Sequence, residues 1–137
     1  MEVVVRVTRI SGERFIEPDD PLPENLQISV SMNIGKIEKQ GNSAKGKFVI
    51  DISYTPSIAR ITVEGRVIAR GTPEELERFL SDLKEGRVPA PIVQSVYTVG
   101  VSEVIIACRS IGAPPPLPPI PQPNARVDER EGMGYSI

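Results

Sequence analysis

Two pairs of adjacent carboxylates, Asp19-Asp20 and Glu74-Glu75, are the groups in this chain best placed to exchange protons with a substrate. Acid–base catalysis needs such groups held in different environments, with one poised near the working pH. Neither pair has that setting. The first lies in Glu17-Pro18-Asp19-Asp20-Pro21-Leu22-Pro23, a proline-bounded loop. The second follows Thr72-Pro73 at the start of a helix pattern, where acidic residues belong for structural reasons. Nucleophilic chemistry of the Ser–His or Cys–His kind needs a histidine, and the chain has none. A zinc site needs several Cys or His ligands, and Cys108 stands alone. Gly132-Met133-Gly134 is too short for a phosphate-binding loop and no helix pattern follows it. The expectation is a protein that is not an enzyme, with no cofactor and no metal.

A chain of 137 residues holds one domain, or one domain and a tail, and can bury a true core. Its hydrophobic fraction of 39% and net charge of -2 are those of a folding chain and not of a disordered one. The near-neutral charge argues against broad binding to nucleic acid, which needs a strong basic patch. Arg66, Arg70, Lys36, Lys39, Lys45 and Lys47 form a local basic set, read as solvated strand and hairpin residues. No stretch is expected to supply the roughly 20 apolar residues of a membrane span. The start, Met1-Glu2-Val3-Val4-Val5-Arg6, lacks the basic start and long apolar centre of a signal peptide. A cytoplasmic location is therefore expected. Cys108 lies in an apolar run and reads as a small buried residue in a reducing compartment.

The elements follow from periodicity. Val3, Val5 and Val7 alternate with Val4, Arg6 and Thr8, a first strand over residues 2 to 10. Gly12 and the proline-rich stretch after it read as a loop. Ile28, Val30, Met32 and Ile34 alternate with Ser29, Ser31 and Asn33, a half-buried strand, and Gly35 marks a bend. Residues 40 to 46 read as a polar hairpin connection. Phe48, Ile50, Ile52 and Tyr54 form the next alternating set, broken by Thr55-Pro56-Ser57. Ile61, Val63, Val67 and Ala69 form another, with Gly65 on the inward face, where another segment must come close. That makes about four antiparallel strands with one apolar face.

Helix signals come next. Thr72 reads as the cap, Pro73 as the first helical position and Glu75 as the closing member of a capping box. Leu76, Phe79, Leu80 and Leu83 repeat at helical spacing, and Gly86 is the terminator. Residues 92 to 111 are rich in strand formers, yet Ile92, Val96, Gly100, Val104 and Cys108 sit four apart. Twenty residues are too many for one ordinary strand, so a helix is expected. A helix apolar around so much of its surface needs cover on two sides. The chain's own sheet supplies one side and a second copy the other. A homo-oligomer is therefore expected, with Tyr97, Val101, Val104, Cys108 and Ile111 at its interface. Residues 114 to 123 must be extended in polyproline form. Their PxxP spacings fit an SH3-type ligand only weakly, and Leu117 and Ile120 favour packing on the oligomer itself. Residues 124 to 137 are polar and read as a mobile tail.

Four stretches together carry a family resemblance. They are Val7-Thr8-Arg9-Ile10 through Arg14-Phe15-Ile16-Glu17-Pro18 and Pro21, then Val63-Glu64-Gly65, and then Thr72-Pro73-Glu74-Glu75-Leu76-Glu77-Arg78-Phe79-Leu80. The last is Arg109-Ser110-Ile111-Gly112-Ala113-Pro114 leading to Leu117-Pro118-Pro119-Ile120. Over roughly residues 3 to 121 the order of elements resembles the SecB-type export chaperones and their solitary and toxin–antitoxin-associated relatives. The resemblance implies an α+β fold, a four-stranded antiparallel sheet backed by a short helix and a long apolar helix. It implies one such domain over 1–121, closed by a proline-rich segment at 113–123. It further implies dimers or dimers of dimers with eight-stranded layers, and ATP-independent holdase action on unfolded or exported polypeptide clients. Exposed apolar surface suits that role. Phe15, Leu22, Leu26, Tyr54, Ile58, Leu117 and Ile120 are the candidates to line a client groove, the bland alternative being that they close the core or the dimer contact. A competing reading is a scaffold subunit of the same fold that docks on one partner, favoured by an aromatic content of only 4%. A third is a toxin-neutralising chaperone with one specific client. Neither nucleic acid nor membrane insertion is expected.

Overall fold

The computed structural model describes residues 1–116 and the backbone of 126–128 and 134–136. Five strands come first: β1 (Glu2–Arg14), β2 (Gln27–Gly35), β3 (Glu38–Gln40), β4 (Ser43–Thr55) and β5 (Ala59–Arg70). The helices α1 (Pro73–Lys84) and α2 (Ala90–Ile111) follow, then the short strands β6 (Arg126–Asp128) and β7 (Gly134–Ser136). The sheet runs β1-β5-β4-β2-β7-β6, with β3 paired to the start of β4. Every pairing is antiparallel. The fold is thus α+β, with the expected four long strands as its frame.

Alternation builds that frame. Phe48, Ile50, Ile52 and Tyr54 of β4 point to the helix side and are buried, as are Ile61, Val63, Val67 and Ala69 of β5. Ile52 pairs with Ile61 and Ile50 with Val63, so apolar side chains meet across the ladder on one face. Gly65 is the close approach its position implied. A Cβ there would strike the Arg6 carbonyl and the Phe48 ring.

Two boundaries differ from the expectation. β1 does not stop at residue 10: it runs through Gly12 to Arg14, with a register shift between Val7 and Arg9. β5 is twelve residues long, and its Ile61 to Ala59 end needs a partner, which Gly12 to Arg14 supply. Gly12 is compatible with a strand here because Ile111 of α2 lies over it. The hairpin connection also shrinks. Glu38–Gln40 form β3 and β4 already starts at Ser43, leaving Gly41-Asn42 as the turn, with Gly41 at φ 62°.

Helix α1 begins as its residues demand. The Thr72 hydroxyl accepts from the Glu75 amide at 3.2 Å, and the Glu75 carboxylate accepts from the Thr72 amide at 3.0 Å. Leu76, Phe79 and Leu83 are buried. Helix α2 is a helix over 22 residues, ending at Gly112 in the left-handed region at φ 67°. Its stripe of Ile92, Val96, Gly100, Val104 and Cys108 is buried, and the helix packs on β1 and β5. At Gly100 a Cβ would strike Ile50, so the small residue sets the approach of helix to sheet.

The same geometry corrects two expectations. Val104 and Cys108 were assigned to an interface between copies, yet they are 1% and 0% exposed inside the chain's own core. The spacing of four that identifies the helix also turns them to the sheet. Second, α2 is long and apolar enough by length and composition to cross a membrane, contrary to the expectation that no stretch is. Its buried stripe serves the core. Within residues 124 to 137, β6 pairs with β7, and β7 extends the β2 edge at Asn33 to Gly35.

Candidate functional site

The apolar surface of interest gathers at one end of the sheet. There β1 leaves at Arg14, β2 enters at Gln27, β4 turns into β5, and α2 ends. Arg14 organises this end. Its Nη1 donates to the Gly112 carbonyl at 2.7 Å and to the Ile111 carbonyl at 3.4 Å. Its Nε donates to Ile16 O at 3.2 Å and its Nη2 to Glu17 O at 3.1 Å. A cation thus sits on the carbonyls at the negative end of α2 and holds the departing loop at the same time. The Phe15 amide donates to the Ile58 carbonyl at 2.8 Å, prolonging the β1–β5 ladder by one bond.

Asp20 then shapes the loop. Its carboxylate accepts from the Glu17 amide at 2.9 Å, and its amide donates to the Glu17 carbonyl at 3.0 Å. That is a structural use of the Asp19-Asp20 pair. The Glu74-Glu75 pair has one too. Glu75 accepts from the N-terminal ammonium at 2.8 Å as well as from Thr72. The bond from the ammonium, with the Thr72 bonds behind it, holds the Glu75 carboxyl down at about 2, too low for a proton donor at neutral pH.

Tyr54 closes the other side. Its hydroxyl donates to the Pro114 carbonyl at 2.6 Å and lies 3.6 Å from Cys108 Sγ. The first residues of the proline segment are therefore fastened to β4. Burial pushes the Tyr54 hydroxyl well above its ordinary range, and the Cys108 thiol is raised by burial also. A raised, buried thiol is a poor nucleophile. Among the described residues no group of His, Cys, Asp and Glu could hold a metal ion.

The candidate groove residues divide. Phe15 and Leu22 are 49% and 45% exposed on the β1–β2 connection. Leu26 is half-buried against the core. Tyr54 and Ile58 do not line open surface: both are buried, because the inward alternation of β4 and the turn after it place them in the core. Leu117 and Ile120 lie outside the described residues. Of the remaining interface candidates, Tyr97, Val101 and Ile111 are half-buried on α2. Among the described residues the buried Tyr97 hydroxyl has no hydrogen-bond partner.

Sequence reasoning missed Ile105 and Ile106, exposed by 43% and 58% on the far side of α2. A signal was present, since three consecutive apolar residues, Val104-Ile105-Ile106, cannot share one helix face. Ile10 and Val30 were also missed as exposed residues. Val30 points to the helix side of β2, where the pattern reads as buried, and Ile10 is turned to the helix side of β1 by the register shift after Val7, which the alternation does not announce.

No family model matches this chain, and no curated protein matches it. Among solved structures it is similar to the Mycobacterium tuberculosis Rv1957 SecB-like chaperone in complex with a ChAD peptide from the Rv1956 HigA1 antitoxin. The two superpose with a TM-score of 0.60 over 88% of this chain and 89% of that one, at 11% identity. Element order, sheet topology and this likeness agree: the chain has the SecB-like α+β fold.

Proposed function

We propose that this chain is a non-catalytic, chaperone-type protein that holds unfolded or exported polypeptides without ATP. The observation that carries the reading is the β1–β2 connection. It presents Phe15 and Leu22 to solvent while Arg14 and Asp20 fix its backbone. Large apolar side chains on a tethered loop favour a binding role over a packing one. The likeness to a chaperone solved with a bound peptide supports it.

The proposed assembly is a dimer or dimer of dimers of this chain in the cytoplasm. Tyr97, Val101 and Ile105, each four positions from the next along α2, supply the apolar stripe for a second copy. Light scattering coupled to size exclusion should report a mass above that of one chain. A monomer at micromolar concentration removes the assembly from the proposal.

The holdase reading is tested by aggregation of a chemically unfolded protein with and without near-equimolar chain. Suppression without ATP is expected. Its absence, with a sample shown to be folded, overturns the reading. A second reading is a scaffold that docks on one partner. It is favoured by the scarcity of rings, since among the described residues Phe15 is the one exposed aromatic side chain.

A further inference from the structure

The outward face of the sheet, opposite α2, carries a row of like charges across three strands. Arg66 of β5 lies directly opposite Arg6 of β1 on one side and Lys47 of β4 on the other. Paired residues of adjacent strands share a face, so all three point outward together. All three are exposed, as is Lys45 one row along. Neighbouring strands lie about 4.8 Å apart, so the row spans about 10 Å. Like charges placed directly opposite one another cost stability in a sheet.

Among the described residues nothing neutralises them. Glu64 pairs with Arg9 at 3.8 Å and Asp51 with Arg60 at 3.3 Å, both in rows further along. Asp51 also accepts from the Thr62 hydroxyl at 2.7 Å. Among the described residues the Arg6 guanidinium donates only to the Val5 carbonyl, at 3.4 Å. Among the described residues no carboxylate pairs with Arg6, Arg66, Lys47 or Lys45. This positive row stands in a chain whose net charge is -2.

We propose that this face, centred on Arg6, Arg66 and Lys47, docks a short acidic segment of a partner protein. Charge complementarity selects the sign of the partner. Two observations select a peptide over a nucleic acid. The outward positions of β1, β5 and β4 carry no aromatic ring on which bases could stack. The row is also bounded by carboxylates on the same face, Glu2 on one side and Glu64 and Asp51 on the other. A long phosphate chain would run over them, and a run of a few carboxylate side chains would not. The surface is separate from the Phe15 loop, so the inference stands or falls apart from the holdase reading.

The test uses the full chain and a fluorescently labelled octaglutamate peptide, with binding followed by anisotropy at low and moderate salt. Three proteins are compared: the natural chain, the double variant Arg66→Glu with Lys47→Glu, and a control on α1, Arg78→Glu with Lys84→Glu. Both variants reverse the same number of exposed charges. The peptide should bind the natural chain, weaken with salt, and lose roughly tenfold or more in the sheet-face variant while the α1 control stays within about twofold. No binding to the natural chain overturns the proposal, as does an equal loss in both variants. Tighter binding of a single-stranded oligonucleotide of equal charge overturns it in favour of nucleic acid. A melting curve accompanies the series. The single variant Arg66→Glu sits between Arg6 and Lys47, should melt no lower than the natural chain, and serves as the folded test protein if the double variant does not fold.

Discussion

The Arg14 guanidinium donates to the carbonyl of Gly112, 98 positions further along the chain, at 2.7 Å. That bond joins the end of the first strand to the end of the last long helix. The same side chain holds Ile16 and Glu17, so the loop that exposes Phe15 and the terminus of α2 are positioned by one group. Removing it should loosen both. Arg14→Ala is expected to cost about 1 to 3 kcal/mol in urea unfolding, the range for hydrogen bonds to a charged donor. Limited proteolysis should then cut first between Ile16 and Leu26. Unchanged stability and an unchanged cleavage pattern would show that the loop is held by other means.

Phe15 and Leu22 face solvent and give little to the core. Phe15→Ser with Leu22→Ser should therefore change stability by less than about 1 kcal/mol, as is usual for exposed sites. It should still remove most of any suppression of aggregation by this chain. Full suppression by the folded double variant would move the client surface away from this loop.

The Tyr54 hydroxyl is buried and donates to Pro114, and its ionisation is pushed upward chiefly by burial. A group raised in the folded state stabilises fully below its unfolded value, near 10, and that stability is lost as the pH climbs toward the folded value. Folding stability should fall above about pH 10, and Tyr54→Phe should remove part of that fall. At neutral pH the variant should lose about 1 kcal/mol with the lost bond. Amide exchange near Ala113 should quicken.

Tyr97 behaves in the opposite sense. Its hydroxyl is buried, and no described residue bonds to it. Tyr97→Phe removes an unsatisfied group without changing the ring, so thermal melting should hold or rise, by up to about 1 kcal/mol. A clear loss of stability would mean that the hydroxyl has a partner in the assembled protein, and a shift in oligomer mass would identify it.

Glu75 caps α1 and meets the N-terminal ammonium, which holds its carboxyl at about 2 against an ordinary 4.5. A lowered group stabilises above its unfolded value and gives that up as the pH falls through the folded one. The acid limb of the stability profile should therefore slope between about 4.5 and about 2. In Glu75→Gln this slope should flatten. Acetylating the terminal amine should raise the lower end of the window, since it removes the leading cause of the shift.

Local periodicity made several elements legible from residues alone. The capping box of Thr72 and Glu75 needs only residues three apart, and it formed as written. The alternation of Phe48, Ile50, Ile52 and Tyr54 identifies a strand and its buried face because side chains change sides at every residue. The stripe from Ile92 to Cys108 identifies α2 for the equivalent reason. What periodicity does not carry is which surface a face meets. Val104 and Cys108 lie on an apolar stripe whether that stripe meets the chain's own sheet or a second copy, and only the packing of α2 on β1 and β5 decided it. Tyr54 and Ile58 sit at strand ends, where exposure depends on how helix and loop close over them. Ile105, Ile106, Ile10 and Val30 are exposed for the same kind of reason. Register is the clearest case. Arg6, Lys47 and Arg66 are scattered basic residues in the chain, and they become one row only when three strands pair in a particular alignment. Short-range spacing is set by covalent geometry and can be read directly. Cross-strand register and helix docking are set by the whole core closing at once, and so they belong to the tertiary structure.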